Sequence, residues 1–349
     1  MRTGTHTPLR IAVVAPPWFE IPPSGYGGIE RVCYSLVQGL TGLGHEVTLV
    51  ATGSNRTSAR FAAVFDQPAC GLGTEFHPVQ EVRYAAGVAR VLRELEIDII
   101  HDHSLAGPLA APLKSIPTLL TAHGPTGALL GDYFRRLALP LVAISEFQRR
   151  SAPDLPWIST IPHGIELEQY PYRPDKDDFV LFLGRLSAEK GAHLAVDAAR
   201  KAGVPLIISG KAAEPAERRY FEECVVPRMT PDTEFIGESY GSRRTDLLSR
   251  ARGVLAPAQW DEPFGLAAVE ALACGTPVIG LRRGSLPEIV DHGLTGWICD
   301  DPAELPDAID RLDELDPRTC RSVAAERYGT AAMVSRYENV YRLLVAAAP

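Results

Sequence analysis

The sequence predicts two α/β domains, each built on a parallel sheet flanked by helices. At 349 residues the chain is longer than one hydrophobic core usually allows, because single cores seldom grow past about 250–300 residues. In both halves, short continuous apolar runs alternate with helical patterns, which is typical of βαβ units. A proline-rich segment at residues 153–174 separates the two series and is the predicted linker.

Composition narrows the class of protein. The apolar share of 46% and charged share of 22% are those of an ordinary globular protein. A net charge of −8 argues against non-specific nucleic-acid binding, which needs a basic footprint. The six cysteines include no C-x-x-C pair, so no zinc or iron–sulfur spacing is visible. Without a signal peptide or an 18-residue apolar run, we expect a cytoplasmic protein with no transmembrane segment.

The first series opens with a buried strand at residues 9–15, a Pro/Gly-rich loop, an amphipathic helix from Ile29 and a strand at 46–51. The loop ends in Gly27 and Gly28. It matches neither the P-loop nor the dinucleotide fingerprint. Two interpretations stay open here. The glycines allow a phosphate or sugar to approach the backbone, or they serve a loop that needs positive φ.

Polar residues follow the later strands of this series, at residues 97–104, 118–124 and 141–145. The carboxyl ends of parallel strands form the ligand edge of an open α/β sheet. We therefore expect His123, at the tip of the second of these strands, to be functional rather than only structural. Two arginine pairs, Arg135-Arg136 and Arg149-Arg150, neighbour aromatic residues. We interpret them as solvated helix faces; the alternative is a patch for an anionic acceptor or a membrane surface.

The second series has predicted strands at residues 178–184, 204–209, 234–237, 254–257 and 278–281, with helices at 188–202, 214–226, 243–252 and 266–274. A last helix covers residues 330–348. The octet GRLSAEKG, residues 184–191, leaves the first strand of this series. Its Arg185 and Lys190 suit a diphosphate, Arg as a planar fork and Lys as a point charge. Exposed surface cations are the competing interpretation.

Residues 260–277 carry the second chemical pattern, a loop and helix between two strands. Glu262 and Glu270 stand eight positions apart, around a Pro-Phe-Gly turn that opens an apolar helix. Free N–H groups at a helix start attract anions, and Gly265 allows close approach to the backbone. Carboxylates there can accept hydrogen bonds from sugar or ribose hydroxyls. Either glutamate alone is more simply explained as a helix-capping charge.

Together these patterns resemble the retaining GT-B glycosyltransferases, in particular glycosyltransferase family 4 (glycosyl transferases group 1). The octet resembles the family's G-R-[LI]-x-x-x-K-G signature, and Glu262 to Glu270 resembles its E-x7-E motif. The resemblance implies a GT-B fold, two Rossmann-like parallel-sheet domains facing across a cleft. Residues 1–165 would form the acceptor-side domain and 166–329 the donor-binding domain. Residues 330–349 would form a helix crossing back to the first domain.

The resemblance also implies roles for individual residues. Arg185 and Lys190 would bind the donor diphosphate, Glu262 the sugar hydroxyls, and Glu270 the ribose. Phe264, Gly265 and Leu266 would offer backbone N–H groups, Gly27 and Gly28 would meet the phosphate, and His123 would lie near the anomeric centre or acceptor. Among these, His123, Glu262, Arg185 and Lys190 are the expected catalytic residues. Two departures stand out: His163 where the family commonly has Asn, and Ser285 where Gly is usual.

The expected reaction is transfer of a sugar from a nucleoside-diphosphate sugar to an acceptor hydroxyl, with retention and without a metal. No cofactor is expected, since the nucleotide sugar is a substrate. The acceptor, whether a glycan, a lipid-linked compound or a small metabolite, is not predicted, and peripheral membrane contact stays open. The only D-x-D, Asp175 to Asp177, is interpreted as solvated. The alternatives are a nucleotide-sugar epimerase of the same fold and a non-catalytic nucleotide-sugar-binding protein.

Overall fold

The computed structural model describes residues 7–25, 27–72, 75–109, 116–212 and 214–348. The chain divides into two compact units. The N-terminal unit comprises the described residues of 1–144, 148–164 and 330–349, and the C-terminal unit comprises those of 145–147 and 165–329. Among the described residues, no helix has the length and apolar character needed to cross a bilayer.

The N-terminal unit contains a seven-stranded parallel sheet of order β3-β2-β1-β4-β5-β6-β7. Its strands are β1 (Arg10–Val14), β2 (Glu46–Thr52), β3 (Arg60–Phe65), β4 (Ile99–Asp102), β5 (Thr118–Thr121), β6 (Leu141–Ala143) and β7 (Trp157–Thr160). The helices along this part of the chain are α1 (Gly28–Gly42), α2 (His77–Arg93), α3 (Ala128–Leu137) and α4 (Glu146–Ser151).

Strand β1 lies in the middle of this sheet, and its apolar sequence suits that position. All its residues from Ile11 to Val14 are fully buried, as expected for a parallel strand covered on both faces. The strand order reverses between β1 and β4, and ligands bind outside the carboxyl ends of strands at such a switch point. The Gly27 loop follows β1, and His123 follows β5, so both belong to this edge of the sheet.

The C-terminal unit contains a six-stranded parallel sheet of order β10-β9-β8-β11-β12-β13. Its strands are β8 (Val180–Leu183), β9 (Leu206–Ser209), β10 (Thr233–Phe235), β11 (Gly253–Ala256), β12 (Val278–Leu281) and β13 (Gly296–Cys299). Its helices are α5 (Ala192–Ala202), α6 (Pro215–Tyr220), α7 (Gly241–Arg250), α8 (Leu266–Ala273), α9 (Leu286–Ile289), α10 (Leu305–Asp310) and α11 (Pro317–Tyr328). The order reverses between β8 and β11, which carry the two predicted motifs at their carboxyl ends.

The last helix, α12 (Thr330–Ala346), packs on the N-terminal unit. Its buried face includes Met333, Tyr337 and Tyr341. It lies so close to α1 that a Cβ added to Gly39 would stand 2.4 Å from Val334 Cγ2. The helix therefore completes the core of a unit whose other elements lie far earlier in the sequence.

The predicted α/β class, with two Rossmann-like parallel-sheet domains, is confirmed. The predicted linker differs from the structure in one respect, because β7 lies inside it. The prolines of this stretch lie on either side of the strand and not within it. Strand β7 is also the edge strand of its sheet. Prolines near an edge strand remove no hydrogen bond between strands. Strands β3 and β13 were not among the predicted strands.

Candidate active site

The octet 184–191 passes directly over the carboxyl end of β11. Gly191 has φ +75°, and a Cβ there would lie 2.2 Å from the carbonyl oxygen of Pro257. Next to this contact, the N–H of Gln259 donates to the carbonyl of Glu189 over 2.7 Å. A side chain at position 191 would force the two segments apart, so this glycine is what lets the first motif approach the second.

The two motifs meet in an ion pair between Lys190 and Glu262. Lys190 Nζ lies 2.5 Å from Glu262 Oε1, although the residues are 72 positions apart. The ammonium also lies 5.2 Å from the centroid of the Trp260 ring, within the range of a cation–π contact. The side chains of Lys190 and Glu262 are 19% and 30% exposed, so the pair is sheltered yet open to a ligand.

Gly284 and Ser285, in the loop after β12, hold the backbone of Glu262. Gly284 has φ +56°, and a Cβ there would lie 2.4 Å from both the nitrogen and the oxygen of Glu262. The N–H of Ser285 donates to the same carbonyl over 2.9 Å. This contact of Gly284 could not be predicted from the sequence, since its partner lies on a different loop.

A cavity opens beside this ion pair at the carboxyl edge of the sheet. Its polar wall includes Lys190, Glu262, Arg283 and Ser285, with Gly265 at the start of α8. The rest of the wall is largely apolar: Phe182, Leu183, Val254, Leu255, Ala256, Ala258, Ala267, Ala268, Leu281 and Leu286. An apolar pocket with a few convergent polar groups is the usual form of a small-molecule site. The lining of this cavity, as far as the structure describes it, does not include four of the predicted donor-binding residues: Arg185, Phe264, Leu266 and Glu270.

The helix α8 begins right after Gly265, at the cavity. The first N–H groups of a helix have no partner within the helix and carry its positive dipole end. A Cβ on Gly265 would meet only ordinary van der Waals contacts, the nearest 3.4 Å away at Ile289 Cδ1. Phe264 is buried, its ring edge-on to Tyr328, so only its backbone is available to a ligand.

Glu270 is buried, with 3% of its surface exposed, and held by partners that the sequence did not indicate. Tyr170 donates to Glu270 Oε1 over 3.0 Å, and Arg244 Nε donates to Oε2 over 3.0 Å, with Arg244 Nη2 on the same oxygen. Arg244 lies on α7 and Tyr170 lies 100 residues before Glu270. Its predicted ribose contact stays a prediction.

Arg185 is also engaged by acids. Its guanidinium is hydrogen-bonded to Glu189, and its second Nη lies 3.9 Å from Glu217 Oε1. The side chain is 34% exposed. A diphosphate reaching Arg185 would therefore compete with carboxylates already in place.

In the N-terminal unit, Gly27 has φ +143°, which confirms the positive-φ interpretation of this loop for that residue. A Cβ there would lie 2.9 Å from Pro23 and 3.0 Å from Glu30 Oε2. Gly28 is the first residue of α1, and Tyr26, directly before Gly27, lies outside the described residues. Glu30 is buried in the first helical turn, and burial raises its pKa to about 7. The phosphate contact predicted for Gly27 and Gly28 stays a prediction.

His123 lies in a row of histidines at the carboxyl edge of the same sheet. Its Nε2 lies 2.9 Å from His103 Nδ1, and its Nδ1 lies 3.4 Å from His163 Nε2. The His123 and His163 rings stack at 24° with centroids 5.1 Å apart. Desolvation by burial lowers the pKa of all three imidazoles, that of His163 to about 3. The row is therefore neutral at physiological pH.

Gln148 fixes the backbone on either side of His123. Its Nε2 donates to the carbonyls of Ala122 and Gly124 over 2.8 and 2.7 Å, and its Oε1 accepts from the N–H of Ile144 over 2.8 Å. In the sequence, the spacing of Ser145 and Gln148 predicts a capping box at the start of α4. The bonds of Gln148 to the tip of β5 could not be inferred from that local spacing.

The interpretation of Asp175 to Asp177 as solvated is wrong for Lys176, whereas Asp177 keeps 28% of its side chain exposed. Lys176 Nζ donates to the carbonyls of Ser249 and Cys274 and to the hydroxyl of Thr276, and desolvation lowers its pKa to about 8. Asp177 accepts from Arg250 over 2.7 Å. Among the described residues, no group of three or more His, Cys, Asp or Glu is placed to hold a metal ion.

The first arginine pair is bound by acids. Arg135 pairs with Asp154 and Arg136 with Asp132, over 2.5 and 2.8 Å. These exposed ion pairs agree with a solvated helix face.

Comparison with known proteins supports the interpretation of both units. The family model "Glycosyl transferases group 1" matches residues 166–327, and the model "Glycosyltransferase Family 4" matches residues 26–169. The chain is 30% identical over 288 residues to the alpha-maltose-1-phosphate synthase of Mycobacterium tuberculosis. The matched region covers 67% of this chain and 72% of that protein.

Two solved structures are similar over almost the whole chain. AviGT4, a glycosyltransferase involved in avilamycin A biosynthesis, is 30% identical with a TM-score of 0.77, covering 98% of this chain and 99% of that one. Anabaena Alr3699/HepE, solved with UDP and glucose, is 17% identical with a TM-score of 0.75, covering 96% and 99%. At that identity the second likeness concerns the fold alone.

Proposed function

From the premise that this chain belongs to glycosyltransferase family 4, with a GT-B fold, we propose that it transfers a sugar from a nucleoside-diphosphate sugar to an acceptor hydroxyl with retention of anomeric configuration. The chain is a glycosyltransferase. The donor class, the stereochemistry, the independence from metal and the residue roles below are our proposal.

The observation that carries the proposal is the Lys190–Glu262 pair at the cavity. An ammonium and a carboxylate lie next to each other there, which supports a site for a diphosphate beside sugar hydroxyls. A nucleotide sugar carries those two groups on either side of one bond, between the anomeric carbon and the phosphate oxygen. Each side chain compensates the charge of the other, and the donor would replace both partners of the pair.

The donor would be held by three kinds of group. Lys190 and Arg185 would bind the diphosphate, Arg185 after release from its carboxylate partners. The backbone N–H groups of Phe264, Gly265 and Leu266 would face the donor at the start of α8. Glu262 would accept from sugar hydroxyls, and Glu270, oriented by Arg244 and Tyr170, would accept from the ribose.

The chemical step exchanges one bond to the anomeric carbon for another on the same face of the sugar. The bond to the diphosphate oxygen breaks, the bond to the acceptor oxygen forms, and the acceptor's proton passes to the leaving diphosphate. Negative charge grows on the diphosphate during this step, so Arg185 and Lys190 stabilise the transition state more than the substrate. His123 is the proposed catalytic residue of the N-terminal unit, with Gly27 and Gly28 as backbone partners of the phosphate.

We propose that no metal takes part, because Arg185 and Lys190 supply the positive charge that a divalent cation would otherwise provide. An assay in excess EDTA tests this directly. Turnover should stay unchanged, and a large loss that Mg²⁺ or Mn²⁺ restores would overturn this part of the proposal.

The reaction is tested by incubating the protein with a panel of nucleotide sugars, first alone and then with candidate acceptors. Free nucleoside diphosphate should accumulate only when both substrates are present. Binding without release in every mixture would favour a nucleotide-sugar-binding protein. A change in the sugar without an acceptor would favour an epimerase.

The pocket is tested by Lys190→Ala. Loss of a charged hydrogen-bonding group from the diphosphate site should weaken donor binding by about tenfold to a hundredfold, the effect of roughly 1.5–3 kcal/mol. The matched control is Lys201→Ala, an exposed lysine at the end of α5, which should bind donor like the wild type. Calorimetric titration measures both. Wild-type affinity in Lys190→Ala would exclude the proposed donor pocket.

A further inference from the structure

The row His103–His123–His163 engages both ring nitrogens of its central member. A neutral imidazole has one N–H and one unprotonated nitrogen. If the two outer rings are neutral as well, each link of the row needs one donor and one acceptor. All three N–H groups must then point the same way along the row, and the tautomer of each ring depends on its neighbours.

His123 keeps one donating and one accepting nitrogen whichever way the N–H groups point. In one direction, His103 Nδ1–H donates to His123 Nε2 and His123 Nδ1–H donates to His163 Nε2. In the other, His163 Nε2–H donates to His123 Nδ1 and His123 Nε2–H donates to His103 Nδ1. His103 is 3% exposed, so solvent does not replace its link to His123. The unprotonated nitrogen of His123 is therefore occupied in both cases.

The surroundings hold the outer rings in place. The His103 ring lies against His101, with centroids 4.0 Å apart. His101 in turn is fixed by Tyr341 of α12 over 2.6 Å and by Thr121 over 2.8 Å. At the other end, the N–H of Gly164, next to His163, contacts Met333 Sδ of α12 at 3.1 Å. The last helix thus supports both ends of the row.

We propose that His103 and His163 are positioning residues for His123, and that the three imidazoles form one hydrogen-bonded row whose N–H groups all point the same way. This inference rests on the proposed function, because it concerns how His123 serves the transfer. It has a chemical consequence. With its unprotonated nitrogen already accepting from a neighbouring imidazole, His123 offers no free basic nitrogen, so it orients the site rather than taking the acceptor's proton.

The row offers matched conservative and disruptive variants. The amide of Asn occupies roughly the place of a histidine Nδ1 and the amide of Gln that of Nε2. His103→Asn and His163→Gln therefore keep each link, whereas His103→Leu and His163→Leu remove it. Each Leu variant should lower kcat about tenfold to a hundredfold, the effect of a buried group left unpaired, while KM for the donor changes less than about threefold. Each amide variant should stay within about threefold of the wild type in kcat.

The tautomers are read by ¹⁵N NMR of the full-length protein labelled at histidine, with His123 assigned from the His123→Gln variant. The wild type should carry the His123 proton on one ring nitrogen only. His103→Asn and His163→Gln should keep that pattern, and both Leu variants should change it. Thermal unfolding of every variant identifies any that fail to fold, and the amide variants then carry the test.

The outcomes separate the two proposals. A mixture of the two His123 tautomers in the wild type, or a His123 spectrum unaffected by either Leu variant, overturns the row. Loss of kcat in the amide variants equal to that in the Leu variants also overturns it. The predicted tautomers in a protein that transfers no sugar would leave the row intact and overturn the proposed function.

Discussion

At the scale of single residues, Ser285 provides a test, because glycine is usual at this position in the family. It is 1% exposed, and its hydroxyl has no hydrogen-bond partner among the described residues. Ser285→Ala removes this unsatisfied group and should raise the free energy of unfolding by about 1 kcal/mol. Ser209→Ala is the matched control, since the Ser209 hydroxyl lies 2.5 Å from that of Ser239 and donates to the carbonyl of Gly237.

The control should lower the free energy of unfolding by about 1 kcal/mol, because it leaves a buried partner unpaired. Urea unfolding of both variants measures the difference. Destabilisation by Ser285→Ala as large as that by Ser209→Ala would mean that the Ser285 hydroxyl is satisfied in the folded protein.

The type of side chain in the candidate site could be predicted from the sequence better than its partners. Lys190 and Glu262 were expected in one pocket, and they meet in it. The contacts that Arg244, Gly284 and Gln148 make in the structure were not expected, because each joins two distant segments of the chain. Spacing along the chain carries no information about such contacts.

At the scale of elements, continuous apolar runs located most strands, and the misses have a physical cause. Strand β7 is short, partly exposed and surrounded by prolines, so it has neither the apolar run nor the flanks of a central strand. Strand β13 begins with Gly296, whose close approach to the carbonyl of Val278 is a tertiary contact. Edge strands depend on such packing more than on local propensity.

The contact between α1 and α12 gives a prediction for a pair of helices. Gly39→Ala should destabilise the protein although alanine is the better helix former by about 1 kcal/mol. Its Cβ would stand 2.4 Å from Val334 Cγ2, and overpacking of this kind typically costs about 1–3 kcal/mol. The β-branched Val334 has little freedom to move aside.

Gly42→Ala is the matched control in the same helix. A Cβ at Gly42 meets nothing within 4 Å, so this substitution should be neutral or slightly stabilising. Thermal unfolding midpoints of the two variants decide the point. Equal midpoints would show that α12 does not press on α1 at Gly39.

At the scale of the whole molecule, the balance of buried titratable groups predicts how stability depends on pH. Burial lowers the pKa of His101, His103, His123 and His163. These histidines bind protons in the unfolded chain below about pH 6.5 but not in the folded protein. Because the unfolded state then holds more protons, they lower the free energy of unfolding as the pH falls from 6.5.

Two buried acids act in the opposite direction. Burial raises the pKa of Glu30 and Asp102 to about 7, so the folded protein binds their protons near neutrality. The unfolded chain binds them only below about pH 4.5. Between pH 7 and pH 4.5 these acids therefore add stability as the pH falls. Burial also raises the pKa of Glu81 and lowers that of His45 and His193. Among the described residues six such histidines therefore oppose three such acids, and the net effect near pH 5.5 is a loss of stability with falling pH.

Two variants separate these opposing contributions. Each titrating group changes the slope of unfolding free energy against pH by about 1.4 kcal/mol per pH unit. His163→Gln removes one proton-binding site from the unfolded state, so the loss of stability between pH 6.5 and pH 5 should become shallower by about that amount. Glu30→Gln removes a site from the folded state, so the loss should become steeper by about the same amount. Urea unfolding at a series of pH values measures both slopes. If both variants changed the slope in the same direction, His163 and Glu30 would not both be uncharged in the folded protein between pH 6.5 and pH 5.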